Sequence, residues 1–72
     1  MDFNVFENEM NLIKIDQADE TTKYIGLATC GSADDDENWK IIKETLDNTG
    51  NLIKSETYKK LAKWEDREEL EF

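Results

Sequence analysis

The sequence predicts a mainly β fold, a small antiparallel hairpin module of barrel-like or sandwich-like form. Apolar and polar residues alternate along several short runs, which is typical of strands with one buried face. A turn-forming stretch at residues 47–51 separates two of these runs. With 72 residues and no proline, the chain has room for one small β-rich domain at residues 11–72, preceded by an extended or flexible N-terminal arm at residues 1–10.

The N-terminal arm combines apolar and acidic residues. Phe3 and Val5 alternate with polar neighbours, and Phe6 follows them. This alternation favours an extended segment whose side chains insert into a neighbouring protein. A frayed chain terminus is an equally good interpretation of the same residues.

Two strands are predicted in the first half of the domain. Residues 11–16 contain β-branched residues in partial alternation and predict the first strand, and the polar stretch at residues 16–22 predicts a turn. Residues 23–29 predict the second strand, which Gly26 interrupts. A glycine inside a strand marks a bulge or a place where another backbone or a ring packs closely.

A loop and a second hairpin follow. Residues 31–37 combine glycine, serine and alanine with an acidic run, so they predict a loop. Residues 39–46 place Trp39 and Ile41 on one side and polar side chains on the other, which predicts the third strand. Residues 47–51 predict a tight turn with a glycine at positive φ, and residues 52–58 predict the returning strand.

Residues 58–70 fit two structures. Tyr58, Leu61 and Ala62 have helical spacing, which predicts a helix of about three turns. Leu70 and Phe72 alternate around an acidic residue, which favours an extended end. The interpretation we favour is a short helical turn or loop at residues 59–66, followed by that extended end.

Composition argues against several classes of function. Eighteen acidic residues against nine basic residues give a net charge of −9, which repels the phosphate backbone and argues against direct binding of nucleic acid. No apolar run approaches the roughly 20 residues that span a bilayer, and an acidic residue follows Met1 where a signal peptide has basic residues. We therefore expect no membrane partner and a protein that is made and kept in a cytosol.

The chain has few cross-links available to it. One cysteine, Cys30, cannot form an internal disulfide, and without histidine the usual zinc ligand sets cannot be assembled. A domain of this size is marginally stable without such cross-links. Association with copies of itself or with a larger partner is therefore predicted to supply the missing stability.

The sequence offers no set of catalytic or cofactor-binding residues. It contains no histidine for an ordinary triad and no second cysteine for a redox pair, and its three glycines are too scattered for a phosphate-binding loop. We expect no enzyme activity and no cofactor. The run of Asp34, Asp35, Asp36 and Glu37 is the one candidate for holding Ca²⁺, but it lacks the EF-hand pattern, and a solvated loop is the favoured interpretation.

Several aromatic and aliphatic residues are candidate anchors of a core or an interface. A tryptophan buries roughly 150 to 250 Å², so in a chain this small at least one tryptophan is predicted to lie in the core, and Trp39 is the first candidate because it opens an apolar alternation. The second has the mixed neighbours of an interface edge, although a core position is the more ordinary interpretation for it as well. The candidate anchors are Tyr24, Ile25, Trp39, Ile41, Trp64 and Arg67. The first five are expected to form one hydrophobic corner, and the arginine is expected to pair locally with a carboxylate.

These residues belong to a longer pattern. It comprises Tyr24-Ile25-Gly26, Ala28, Gly31 and Ala33, then Trp39 and Ile41, a hairpin, and finally Trp64-Glu65-Asp66-Arg67, Leu70 and Phe72. In this order and spacing, residues 23–72 resemble short structural proteins of tailed bacteriophage virions, which read Y-I-G-x-A-x-x-G-x-A, W-x-I and W-D-D-R-x-x-L-x-Y. The chain departs from that pattern at Glu65 and Phe72, and residues 57–60 replace the usual Trp-Ala-Asp-Gly.

The resemblance implies a non-catalytic structural component of a virion, located in the capsid, neck or tail after synthesis in the bacterial host cytoplasm. Its partners would be other virion proteins (capsid, portal, adaptor or tail), and it would be present in multiple copies or as a homo-oligomer. An acidic surface suits docking on a basic face of such a partner. Extended ends at residues 1–9 and 68–72 are suited to adding strands to a neighbour's sheet.

Two other functions fit the composition. A small acidic regulator would mimic the charge of DNA and inhibit a nucleic-acid-binding host protein. A protein that folds only on a host partner, as antitoxins do, would also have few internal cross-links. Neither alternative requires the protein to be part of a virion.

Overall fold

The computed structural model describes residues 12–72, which form a single four-stranded antiparallel sheet followed by a short 3₁₀ helix. The elements are β1 (Leu12–Asp19), β2 (Thr22–Ala28), β3 (Lys40–Leu46), β4 (Leu52–Thr57) and the 3₁₀ helix (Trp64–Glu69). The strands lie side by side in chain order, so β1 and β4 are the two edges. The prediction of a mainly β, antiparallel hairpin fold is confirmed. The barrel-like or sandwich-like form is wrong for residues 12–72, because their strands form one sheet in which β1 and β4 do not pair. The predicted N-terminal arm at residues 1–10 lies outside the described residues.

The first hairpin is longer than the sequence pattern predicted. The prediction of a turn at residues 16–22 is wrong in its extent, because β1 continues through Asp19 and only residues 20–21 separate the strands. The Asp19 carboxylate accepts hydrogen bonds from the backbone N–H of Thr21 at 2.8 Å and from its hydroxyl at 3.1 Å. These bonds close the chain reversal, and the backbone bond is the main reason that the pKa of Asp19 lies below its usual value.

Alternation along β2 gives the sheet two different faces. Tyr24, Gly26 and Ala28 lie on one face and are buried. Ile25 and Leu27 lie on the other face, because successive side chains of a strand point to opposite sides. We call the first side the core face and the second the open face.

Two tryptophan rings pack over the middle of the core face. The ring centroids of Trp39 and Trp64 lie 5.7 Å apart, and both side chains are buried. The rings meet at Gly26, where a Cβ atom would lie 2.6 Å from Cζ3 of Trp64 and 2.9 Å from Cε3 of Trp39. The glycine in β2 therefore marks the close approach of a ring, which is one of the two roles that the sequence predicted for it.

Backbone pairing positions Trp39 at the centre of the fold. Its N–H donates to the carbonyl of Ala62 at 3.0 Å, and the N–H of Ala62 donates back to the carbonyl of Trp39 at 2.9 Å. The indole Nε1 donates to the carbonyl of Ala33 at 2.8 Å. Trp39 thus lies just before β3 and joins the loop at residues 31–37 to the C-terminal segment.

The C-terminal helix begins later than the sequence predicted. A short helical turn or loop was expected at residues 59–66, whereas residues 59–63 contain no helix and the 3₁₀ helix covers Trp64–Glu69. The pairing of Ala62 with Trp39 holds the preceding chain extended, and Lys63 still has φ −82° and ψ 137°. The tertiary contact therefore overrides the helical spacing of the earlier residues.

The chain end closes the core. The extended end was expected from residue 68, but it begins only at Leu70, which has φ −78° and ψ 146°, because Glu68 and Glu69 belong to the 3₁₀ helix. The end packs on its own domain, because the ring of Phe72 lies 6.4 Å from that of Tyr24 and 5.7 Å from that of Tyr58. The end at residues 68–72 is therefore not placed to add a strand to a neighbour. Burial raises the pKa of the Tyr24 hydroxyl, and the negative charge of Glu68 raises it further.

Arg67 fastens the helix to the first strand. Its Nε donates to one carboxylate oxygen of Asp16 at 3.0 Å, and its Nη2 lies 2.9 Å from the same oxygen in an ion pair. Its Nη1 donates to the carbonyl of Trp64 at 3.1 Å, and the guanidinium lies 4.5 Å from the centroid of that indole ring. The expected pairing of Arg67 with a carboxylate is found, but the partner lies 51 positions away in the sequence, so the contact is long-range.

The turn between β3 and β4 has the predicted form. Gly50 has φ 91°, a conformation that glycine adopts without steric cost. The Asp47 carboxylate accepts hydrogen bonds from the backbone N–H groups of Thr49 and Asn51, both at 2.9 Å, and from the Thr49 hydroxyl at 2.8 Å. These bonds, above all the one from the Asn51 N–H, lower the pKa of Asp47 to about 2.

We expect Asp47→Asn to remove an acid-sensitive contribution to stability. The folded pKa of about 2 lies below the unfolded value of about 3.9, so the contribution is present above the unfolded pKa and is lost as the pH falls through the folded pKa. In urea denaturation, the midpoints of wild type and variant should differ most at neutral pH and converge between about pH 4 and pH 2. Asp35→Asn, in an exposed loop, is the control, and a difference that stays constant with pH would contradict the assignment.

Gly26→Ala should destabilise the domain by about 1–3 kcal/mol, the usual cost of overpacking a core. The added methyl group would overlap both indole rings. Urea denaturation followed by tryptophan fluorescence measures the free energy of unfolding, with Ser55→Ala on the exposed side of β4 as the control. Alanine otherwise favours a strand over glycine, so a variant as stable as the wild type would show that the rings do not pack on this backbone.

Candidate docking surface

The open face of the sheet carries an apolar patch that extends over three strands. In one row across the sheet, Ile15 lies opposite Ile25, and Ile25 lies opposite Ile42. In the neighbouring row, Ile13 lies opposite Leu27. These five side chains are the apolar patch.

The patch is open to solvent, most of all at the edge strand. Ile13 is 58% exposed and Ile15 is 64% exposed, whereas isoleucine is among the residues most often found inside a protein. Ile25, Leu27 and Ile42 are partly buried. The aromatic cover formed by the C-terminal segment lies on the opposite, core face. A contiguous exposed apolar surface is typical of a protein-binding site.

Two lysines flank the patch. Lys40 lies opposite Leu27, and Lys23 lies between Gln17 and Glu44 in the cross-strand register. Lys23, Lys40 and Glu44 together leave an excess of one positive charge beside the patch, although the chain as a whole has a net charge of −9. The open face therefore differs in charge from the rest of the molecule.

The shape of the patch suits another protein better than a small molecule. Small-molecule sites are concave, and within residues 12–72 there is no ligand-sized cavity. Fully burying one isoleucine is worth roughly 1.5–3 kcal/mol relative to leaving it exposed. Covering the patch would therefore release several kcal/mol, from which the entropy cost of association must be subtracted.

Four of the six candidate anchors lie in the core. Tyr24, Trp39, Ile41 and Trp64 belong to the buried cluster on the core face. Ile25 was expected in the same hydrophobic corner but lies on the open face, because it is the neighbour of Tyr24 in β2 and points to the opposite side. The corner therefore builds the fold, and the exposed patch is made largely of other residues.

Sequence reasoning missed four residues of the patch, Ile13, Ile15, Leu27 and Ile42. A signal for them was present, because residues 24–28 are apolar at every position and Ile41 is followed directly by Ile42. A continuous apolar run is typical of a strand with apolar side chains on both faces. Because each strand was interpreted as having a single apolar side, the second apolar face of the sheet was not predicted.

Two residues of the acidic loop, Asp34 and Asp36, bind other groups of the domain through their carboxylates. Asp34 forms an ion pair with Lys14, and its carbonyl accepts a hydrogen bond from the N–H of Glu65 at 3.1 Å. The Asp36 carboxylate accepts one from the N–H of Ala33 at 2.7 Å. In the described part of the chain, no three acidic or cysteine side chains come close enough together to hold a metal ion.

The elements of residues 12–72 include no helix that is long and apolar enough to cross a membrane. Comparison of the chain with protein-family models, with curated proteins and with solved structures found no match. The open face and the pattern of residues in the sequence are therefore the two sources from which a function can be inferred.

Ile15→Gln should leave the domain folded while reducing the binding of a hydrophobic dye. Because Ile15 is 64% exposed, the free energy of unfolding should stay within about 0.5 kcal/mol of the wild type. Ile53→Gln is a matched control, since Ile53 is also 64% exposed. The residue of β4 that lies opposite Ile42 is Thr57, and Ile53 is four positions away from it, roughly 13 Å along the strand. Equal dye binding by both variants would contradict a continuous patch on the open face.

Proposed function

We propose that this chain is a non-catalytic docking module and a structural component of a tailed bacteriophage virion. The observation that carries the docking role is the contrast between the two faces of one sheet. The core face is closed by the C-terminal segment, whereas the open face exposes the apolar patch beside Lys23 and Lys40. The described domain completes its core without this patch, which leaves the open face for contact with another protein.

The place in a virion rests on the resemblance of the residue pattern. Tyr24, Gly26, Trp39 and Trp64 belong to that pattern, and they pack together on the core face. Residues that pack together must keep their size and spacing, so the pattern supports a fold shared with those virion proteins. Because a fold alone does not determine a function, the docking role is argued from the patch itself.

The charge distribution suggests how the module is oriented on its partners. The acidic loop is tied to the core-face side through Asp34, which pairs with Lys14 opposite Gly26 and accepts a hydrogen bond from the N–H of Glu65 in the 3₁₀ helix. The patch is flanked by lysines. Complementary charge favours an apolar partner with acidic margins on the open face and a basic partner on the opposite side. A module with two unlike faces can thus bridge two neighbours in a particle.

Quantitative mass spectrometry of purified particles tests the proposal. The phage that carries this sequence should contain the chain at a fixed copy number relative to its other structural proteins. A chain that is abundant in infected cells but missing from particles would overturn the virion assignment and favour the acidic regulator of a nucleic-acid-binding host protein.

A photo-cross-linking residue at position 15 tests the docking surface in the same particles. It should capture another protein of the particle or a second copy of this chain, because position 15 lies in the patch. The same residue at position 53, which is equally exposed in the described structure, is the control. Equal yields from both positions would show that the patch is not the surface that docks.

A further inference from the structure

We propose that the apolar patch of one copy binds residues 1–11 of a second copy, so that the chains associate head to tail. This inference rests on the proposed docking function and names the partner of the patch. It follows from the composition of residues 1–11, from the place where they join the sheet, and from the charges on the open face.

Residues 1–11 are complementary to the open face in composition. They contain five large apolar residues, namely Met1, Phe3, Val5, Phe6 and Met10, and three acidic ones, namely Asp2, Glu7 and Glu9. The apolar side chains match a surface of isoleucine and leucine, and the carboxylates match Lys23 and Lys40 at its margins. Complementary charge at the rim of an apolar contact fixes the partner and its register.

The point of attachment favours a neighbouring copy over the chain's own patch. Leu12 is the first residue of β1, lies opposite Ala28, and packs against the core of its own domain. A segment that continues the direction of β1 leads away from its own sheet, whereas reaching its own patch requires an immediate reversal. Eleven residues span up to roughly 36–40 Å when extended, whereas a sheet of four strands is about 14 Å wide. The segment is therefore long enough to cross the patch of a second copy.

A face-to-face dimer of two patches is disfavoured by charge. It would bring Lys23 and Lys40 of both copies together and place two bodies of net charge −9 in close contact. An inserted segment covers the patch and leaves the two bodies farther apart. Each copy then offers one segment and one patch, an arrangement that generates a ring or a filament and suits a component present in many copies.

A complementation experiment with full-length chains tests the pairing. The segment variant carries Phe3→Ser and Phe6→Ser, and the patch variant carries Ile15→Gln. In sedimentation velocity over a range of concentrations, the wild type and the Ile53→Gln control should form a series of growing species. Each variant alone should associate at least about tenfold more weakly, which corresponds to about 1.4 kcal/mol.

The mixture of the two variants gives the decisive result. The segment variant keeps an intact patch and the patch variant keeps an intact segment, so an equimolar mixture should form a 1:1 dimer and nothing larger. Association of the segment variant as strong as that of the wild type would overturn the proposal in favour of face-to-face contact. Urea denaturation of each variant confirms that it is folded.

An isotope-filtered NOE experiment on a mixture of labelled and unlabelled wild-type chains identifies the copy that supplies the segment. Contacts between the Phe3 ring and the Ile15 methyl groups should appear between chains. Contacts within one chain only, or a wild type that stays monomeric at every concentration, would overturn the proposal. If the chains associate head to tail in solution but the chain is absent from purified particles, the virion assignment alone would be overturned.

Discussion

The contact of two indole rings with the backbone of Gly26 is the constraint on which the rest of the described structure depends. A single sheet has no second sheet to bury its core face, so another part of the chain must cover it. Trp39 and Trp64 provide that cover, and the absence of a side chain at Gly26 lets both rings reach the backbone. Arg67 then holds the second indole in place through its bonds to Asp16 and its stacking on the ring.

Closing only one face leaves the sheet asymmetric. Strands β2 and β3, which bury Tyr24 and Ile41 on the core face, carry Ile25 and Ile42 on the other face. The register of the ladder places Ile15 of β1 in the same row. Such a surface is costly to leave in water, and a marginally stable small domain gains by covering it. The physical cause of the proposed association is therefore the same shortage of buried surface that the length of the chain imposes.

The fold was more predictable than the surface. The tight turn at residues 47–51 was recognisable because turn-forming side chains and a glycine act locally. The start of the 3₁₀ helix at Trp64 was not, because it depends on the pairing of Ala62 with Trp39, which are 23 positions apart. Ile25 was assigned to the core for a related reason, since its neighbours in the sequence are core residues although its side chain lies on the other side of the sheet.

The sequence by itself determined the number and approximate positions of the four strands, the turn at residues 47–51, the acidic balance and most of the residues that form the core, because each depends on local pattern or on composition. Tertiary structure decided which apolar side chains were buried, which carboxylate paired with Arg67, and which isoleucines remained exposed. Those outcomes depend on strand register and on the path of the C-terminal segment. In an antiparallel sheet, one residue of register exchanges the two faces, so the exposed patch exists only once distant strands have paired.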